Sequence, residues 1–445
     1  MRRGAGALSP ARPVPAGASV WAPGPPIEER LARAGLPALP RLAWLEVDTD
    51  ALRADLEVVR GLVPRATRLA AVVKADGYGH GLEVAGRTFA AAGADLLAVA
   101  TLDEGRRLRS TLPAGPPILV LFDIPPAAVA EAAGLGLELA AADRGWLTEA
   151  LAAWTAARPG LPAGTRLRLH VEVETGFLRA GLRPEAVAAA VRAVAATPGV
   201  QAAGLWTHLA DPADQRATAA QVRRFRAAEA ALRAAGLTVP SRHIAASGGL
   251  FVGAAADTEL ARVGLALYGV LPGGLVESRL APAAAAAAGA LRPALSLKAR
   301  PLRVEAVRVG ERVGYGGTWR AERASRIATL PVGYGDGWTR ASQGRTWALV
   351  RGRRVPLVGV VAMDAVAADV TDLEPAVTLA DEFVLLGAQG SEWIDPDELA
   401  RARTTISWEI LATMATRLTR VYHAGPGPTG LRLQGSEVFG GGTRG

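Results

Sequence analysis

Lysine is the rare cation of this chain: of 50 lysines plus arginines, only Lys74 and Lys298 are lysines. A sequence that uses arginine almost everywhere keeps a lysine where arginine cannot serve. One such place is an amine that must lose its proton and form an imine. Lys74 follows Ala71, Val72 and Val73, small or β-branched residues suited to a strand buried on both faces, and precedes Gly77, Gly79 and Gly81. An ammonium at the end of a buried strand is costly unless it has a task. Snorkelling from a strand end is the plain alternative; a Schiff-base lysine is the reading that carries chemistry.

The stretch VVKADGYGHG around Lys74 resembles the pyridoxal 5'-phosphate (PLP) lysine motif of the alanine racemase family. Further motifs in the family's order extend the resemblance from about Trp44 to Tyr422. The resemblance implies that Lys74 holds PLP and that Tyr78, in the glycine-rich loop, reaches its phosphate. TGFLRAG supplies Arg179 for the cofactor's phenolic oxygen and the substrate, and LWTHLA supplies His208. HIAASGG supplies Ser247, whose following glycines suit a phosphate cradle. ARVGLALYG supplies Arg262 opposite the pyridine nitrogen, with Gly264 and Leu265 offering backbone N–H groups. A permanent cation at that nitrogen weakens the electron sink, which restrains side reactions such as transamination. RVGYGGTW supplies Tyr315 as the second catalytic base, VVAMDA supplies Met363 and Asp364 near the substrate carboxylate, and VGYGDGW supplies Tyr334 at the entrance. In the family these last loops reach the partner's barrel, so the resemblance implies a homodimer with shared active sites. Racemisation would then use Lys74 on one face of the α-carbon and the partner subunit's tyrosine on the other. His170, His243 and His423 read as structural histidines.

Four positions depart from the family pattern. Glu172 stands where many members have a lysine modified to a carbamate, and would supply genetically the carboxylate that orients Arg179. Ala246 replaces an asparagine, Ala362 a cysteine, and Trp408 a tyrosine whose hydroxyl meets the phosphate. Loss of that hydroxyl removes about 1 kcal/mol of cofactor contact.

Such residues must be carried by elements that converge. At 445 residues two domains are the natural division. Short apolar runs end at Lys74, Ala100, Leu121, Ala141, Val173, His208, Ser247 and Tyr268, with amphipathic helical patterns such as Pro184 to Ala196 and Gln215 to Ala235 between them. This alternation predicts a (β/α)8 barrel of TIM type, with chemistry at the C-terminal strand ends. LAWLEVD (42–48) reads as a strand before it, and Asp50 as the cap of a helix to about Leu62. Beyond the run Ala283 to Ala288 the pattern changes to alternating strands with glycine turns, predicting a mostly β C-terminal domain. The expected boundaries are a flexible Pro/Gly/Ala-rich extension over 1–40, the PLP-binding barrel over 41–289, the β domain over 290–432 and a flexible tail over 433–445.

Composition narrows the alternatives. Half of the residues are hydrophobic and 21% charged, as expected of a globular chain with a large interior. Cysteine is absent, which excludes disulfides and thiolate metal sites; no metal is expected. The +8 net charge is spread as single arginines along helices without an aromatic-interleaved basic run, so no nucleic-acid partner is expected. No apolar run spans a bilayer and the N-terminus lacks an apolar signal core, so cytoplasm is the default. The resemblance implies interconversion of L- and D-alanine, a source of D-alanine for peptidoglycan precursors. A racemase of broader range that includes serine is the nearest alternative. A non-catalytic PLP-binding paralogue is the alternative from another class; barrel-only proteins of that kind lack the β domain that carries Tyr315.

Overall fold

The computed structural model describes residues 25–254, 257–271, 274–275, 280–424 and 430–434. It divides into two compact units, one of residues 51–291 and one that joins 1–50 to 292–445. Most of the expected N-terminal extension and C-terminal tail lies outside the described residues.

The first strand, β1 (Ala43–Asp48), belongs to the second of these units and not to the barrel, which corrects the expected boundary at residue 41. It runs antiparallel to β10 (Leu295–Ala299), Trp44 opposite Lys298, and parallel to Thr419–His423 on its other side. All six of its residues are buried, because it lies inside an 11-stranded sheet. The expected flexible extension also needs correction over its last part. Ile27–Arg33 forms a helix with Glu28 and Glu29 in its first turn, and Ile27 and Leu31, one turn apart, are fully buried against Trp44 and Val421. At the other end Arg432–Leu433 pairs with Thr419–His423 and the Gln434 N–H donates to Arg420 O at 3.0 Å, so the first two residues of the expected tail are tied to the sheet; the rest of it lies outside the described residues. Asp48, rather than Asp50, caps the helix Thr49–Arg60: its Oδ1 accepts the Asp50 N–H at 2.9 Å.

The barrel unit has eight parallel strands: β2 (Arg68–Val72), β3 (Leu96–Val99), β4 (Ile118–Val120), β5 (Leu137–Ala141), β6 (Leu167–Glu172), β7 (Val200–Trp206), β8 (Arg242–His243) and β9 (Leu260–Val263). From β2 to β8 each strand pairs with its chain neighbour, β2 pairs with β9, and the Arg262 N–H to Ala245 O bond of 3.0 Å brings β9 to the segment after β8. Helices such as Pro184–Ala196 and Gln215–Ala234 fall where the periodicity places them. Two strand assignments need correction. GLALYG is not a strand; β9 ends at Val263 and Leu265–Tyr268 is a 3-10 turn. Its amides at Gly264 and Ala266 donate to Ser247 Oγ, at 3.1 and 3.3 Å, which takes them out of any ladder. Ser247 likewise does not end a strand but opens the short helix Ser247–Phe251.

In the second unit the expected β pattern appears as Arg303–Val307, Ser325–Leu330 and the hairpin Trp347–Val350/Arg353–Val358. Lys298 is buried in β10 with its Nζ 3.1 Å from Glu46. The chain's second lysine is therefore an ion-pair partner in the sheet. No helix among the described residues is long and apolar enough to cross a membrane.

Candidate active site

The barrel strands end in a mouth rich in cations. After Val72 the chain makes a left-handed turn in which Ala75, Asp76 and Tyr78 have φ of 53, 54 and 52°, a conformation that costs about 1 kcal/mol per non-glycine residue. Glu104 holds the turn open, accepting the Ala75 N–H at 2.6 Å while its other oxygen accepts Ala100 N–H at 2.8 Å. Asp76 Oδ1 accepts the Leu82 N–H at 3.0 Å. Lys74 emerges at the start of this turn, its Nζ 5.9 Å from the centroid of Phe122. Burial, then Arg179, then Arg262 hold its amine below the ordinary lysine value, against Glu104.

Arg179 shares that aromatic platform, with its guanidinium 5.2 Å from Phe122 and 4.7 Å from Phe177. The carboxylate of Glu174 shapes its loop by accepting the N–H groups of Gly176 and Leu178. Glu172, at the end of β6 and 3% exposed, stands 3.7 Å from Arg179 Nη2. Burial pushes its carboxyl up to about 7, even though Arg179 and Arg262 draw it down. The expected pairing of Glu172 with Arg179 is thus present as an ion pair and not as a close hydrogen bond.

His208 and Arg262 form the floor. Arg262 Nη2 lies 3.4 Å from His208 Nδ1 and donates to Thr207 O at 2.9 Å. Burial, then the charges of Arg262, Arg179 and Lys74 lower the imidazole to about 3. His208 is therefore neutral, with Nδ1 accepting from Arg262 and its hydrogen on Nε2. Gln221 clamps two of these loops, since its Nε2 donates to Thr175 Oγ1 at 3.1 Å and to His208 O at 3.0 Å.

Opposite lies a hydroxyl and amide cluster. Gly264 passes so close to Tyr78 that a Cβ there would stand 2.5 Å from the phenol oxygen. Ser247 Oγ meets the same backbone at the Gly264 and Ala266 amides. Tyr78 also packs on Tyr268, ring centroids 4.9 Å apart, and burial pushes its phenol up, so it stays a donor. These residues suit PLP: neutral hydroxyls and amides for a phosphate, a depressed lysine amine for the aldehyde and a buried guanidinium for the ring. The cradle at Gly264, which any side chain would fill, is the structural sign of that fit.

In the other unit, Tyr315, Tyr334 and Met363 are 69, 41 and 52% exposed, large side chains left bare. Tyr334 N–H donates to Ala362 O at 3.0 Å and Gly335 N–H to Met363 O at 2.9 Å, which ties two of the expected loops together. The organiser is Asp336, fully buried and bonded to Arg41 and Arg417, each at 2.7 Å; Arg417 in turn reaches Asp364 at 2.8 Å. Trp408 sits half-buried on the helix Ser407–Ala412, whose continuation meets this turn through the Ala415 N–H to Asp336 O bond of 3.2 Å.

The barrel thus gathers Lys74, Tyr78, Glu172, Arg179, His208, Ser247, Arg262, Gly264 and Leu265 at one mouth. In the β unit Tyr334, Met363 and Asp364 lie on two hydrogen-bonded loops, Trp408 on the helix Ser407–Ala412 and Tyr315 on the short turn Tyr315–Gly317. Sequence reasoning missed Phe122, Glu104, Asp336 and Arg417. Phe122 had a local signal, an aromatic directly after the run ILVL (118–121).

Family models for the alanine racemase N-terminal and C-terminal domains match residues 47–272 and 294–422. Among curated proteins, an alanine racemase of Symbiobacterium thermophilum is 40% identical over 86% of this chain and 97% of its own. The crystal structure of alanine racemase from Bacillus anthracis with bound L-Ala-P superposes with a TM-score of 0.80 at 29% identity, covering 89% of this chain and 98% of that one. Alanine racemase from Streptomyces coelicolor A3(2) has a TM-score of 0.76 at 32% identity, covering 85% of this chain and 97% of that one. The chain belongs to the alanine racemase family of enzymes.

Proposed function

We propose that this enzyme interconverts L- and D-alanine with PLP at the barrel mouth, using two bases and a site completed by a second copy of the chain. The observation that carries the reading is the depressed amine of Lys74 beside Arg179, with Arg262 behind it and the Tyr78–Gly264 cradle opposite. Bound PLP would supply the electron sink that acidifies the α-hydrogen of an attached amino acid. Lys74 would hold it covalently, Tyr78 and Ser247 with the amides around Leu265 would hold its phosphate, and Arg262 would face its ring nitrogen.

The chain's own residues do the rest. Once free, Lys74 moves a proton on one side of the α-carbon, and its lowered pKa makes the neutral amine easier to reach. Arg179 orients the substrate carboxylate, steadied by Glu172. Tyr315 of the partner subunit serves the other side, where the Nε2–H of neutral His208 offers its oxygen a hydrogen bond. Met363 and Asp364 of the partner subunit approach the substrate carboxylate, Tyr334 of the partner subunit lines the entrance, and Trp408 supports their turn. The exposure of Tyr315, Tyr334 and Met363 on one chain supports a partner that covers them.

Chiral analysis of the purified, PLP-loaded protein incubated with each L-amino acid in turn tests this. D-alanine should form fastest. Equal rates with serine would select the broader racemase, and no enantiomer of any substrate would refute racemisation.

A further inference from the structure

Three titratable side chains inside the barrel take no part in the site described above. Glu138 on β5, His170 on β6 and His243 on β8 are 6, 1 and 0% exposed. They stand in line toward Arg262 on β9. Arg262 Nη1 lies 2.7 Å from His243 Nδ1, His243 Nε2 lies 2.9 Å from His170 Nδ1, and His170 Nε2 lies 2.8 Å from Glu138 Oε2.

The two ends determine every hydrogen between them. A guanidinium only donates, so His243 Nδ1 accepts and its hydrogen sits on Nε2. That group must then donate to His170 Nδ1, which leaves the His170 hydrogen on Nε2, donating to the carboxylate. All three bonds point from Arg262 to Glu138, and both imidazoles between them are neutral. The burial of His243 and then the Arg262 charge hold it well below the ordinary histidine range. Burial would raise Glu138, but the hydrogen bond from His170 and the charges of Arg168 and Arg68 bring it below the ordinary carboxylate value.

The surroundings keep the line intact. A Cβ on Gly204 of β7 would stand 2.3 Å from His170 Nδ1, at the accepting nitrogen. The β6–β7 register slips between Leu169 and His170, which seats that ring. Trp206 stacks on His243 at 7° with centroids 5.8 Å apart, holds Arg262 4.5 Å from its ring centre and donates from Nε1 to His170 O at 3.2 Å. Arg262's hydrogen-bond partners, Thr207 O, His243 O, His243 Nδ1 and His208 Nδ1, include no carboxylate. Glu138 faces the other end of the barrel, where it lines a cavity of about 380 Å³ with Arg68, Arg168 and Glu259.

We propose that Glu138, acting through His170 and His243, is the remote counter-ion of Arg262 and a positioning residue for racemisation, fixing the guanidinium's charge and orientation from the opposite end of the barrel. The functional half of this rests on the racemase reading; the relay itself does not. The charged and titratable groups that face it are Arg68, Arg168 and Glu259 at the Glu138 end, and Lys74, Glu172, Arg179 and His208 at the Arg262 end.

Two measurements test it. Nitrogen-15 NMR of histidine-labelled full-length protein, with and without PLP, should show His170 and His243 each carrying a hydrogen on Nε2 alone. An imidazolium or an Nδ1–H tautomer at either ring overturns the relay, whether or not the protein racemises anything. Glu138→Gln keeps an oxygen for His170 but removes the charge. In the PLP-loaded variant kcat should fall about tenfold with KM little changed. The alkaline limb of its pH profile should move to lower pH, because the Arg262 cation has lost its remote counter-ion and keeps only Glu172, and Glu138→Asp should restore part of both. A folded Glu138→Gln enzyme with wild-type kcat and pH profile overturns the positioning role. Should that variant not fold, the histidine spectrum of the wild type still decides.

Discussion

Glu172→Gln isolates one buried charge whose contribution has a calculable dependence on pH. The side chain is 3% exposed, and burial lifts its carboxyl from 4.5 to about 7, against the pull of Arg179 and Arg262 and with help from Asp123 and Glu174. A folded-state value above the unfolded one means that folding favours the protonated acid. The stabilisation is therefore complete below about pH 4.5 and is lost as pH rises through about 7. The shift corresponds to about 3 kcal/mol, most of it between about pH 5 and about pH 8. Glutamine does not titrate, so the variant gains stability relative to wild type as pH rises across that window. Paired denaturation curves at fixed protein and PLP concentration should show the difference widening by about 2 to 3 kcal/mol. Kinetics should move the other way. The carboxylate that steadies Arg179 forms in wild type only as pH passes about 7, so the KM for alanine should fall there in wild type and remain high and flat in the variant. Bicarbonate removal should change neither enzyme. Parallel stability curves, or a gap that closes with rising pH, would refute the burial of an ionisable carboxyl at this position.

Borohydride reduction of the PLP-loaded protein and peptide mapping should place the adduct on Lys74; an adduct on Lys298, which is engaged with Glu46, would overturn the cofactor assignment. Mixing inactive Lys74→Ala and Tyr315→Phe subunits should restore activity, because a mixed dimer holds one site with neither defect; no recovery after verified exchange would rule out shared sites. Gly264→Ala sets a methyl group 2.5 Å from the Tyr78 hydroxyl and should weaken PLP retention by about 1 kcal/mol, read by dialysis and cofactor absorbance, whereas unchanged retention would remove Tyr78 from the cradle.

The sequence alone was enough for the barrel's class and most of its strands, because they are written in local periods: apolar runs of a few residues, then amphipathic stretches such as Gln215–Ala234. It also singled out Lys74 as a candidate, since scarcity of lysine is a property of composition and the following glycines are contiguous in the chain. Tertiary structure decided what depends on pairing between distant segments. LAWLEVD is apolar enough for a strand of either unit, and only its hydrogen bonds to Leu295–Ala299 and Thr419–His423 assign it to the C-terminal sheet. Ile27 and Leu31 look like part of a loose extension until Trp44 and Val421 bury them. Asp336 has a glycine-rich neighbourhood but no local sign of its partners, which lie 295 residues before and 81 residues after it. His170 and His243 read singly as structural histidines, 73 residues apart. Their chemistry appears only where barrel closure sets β5, β6, β8 and β9 around one axis, since a hydrogen bond is made by position in space and leaves no spacing in the chain to read.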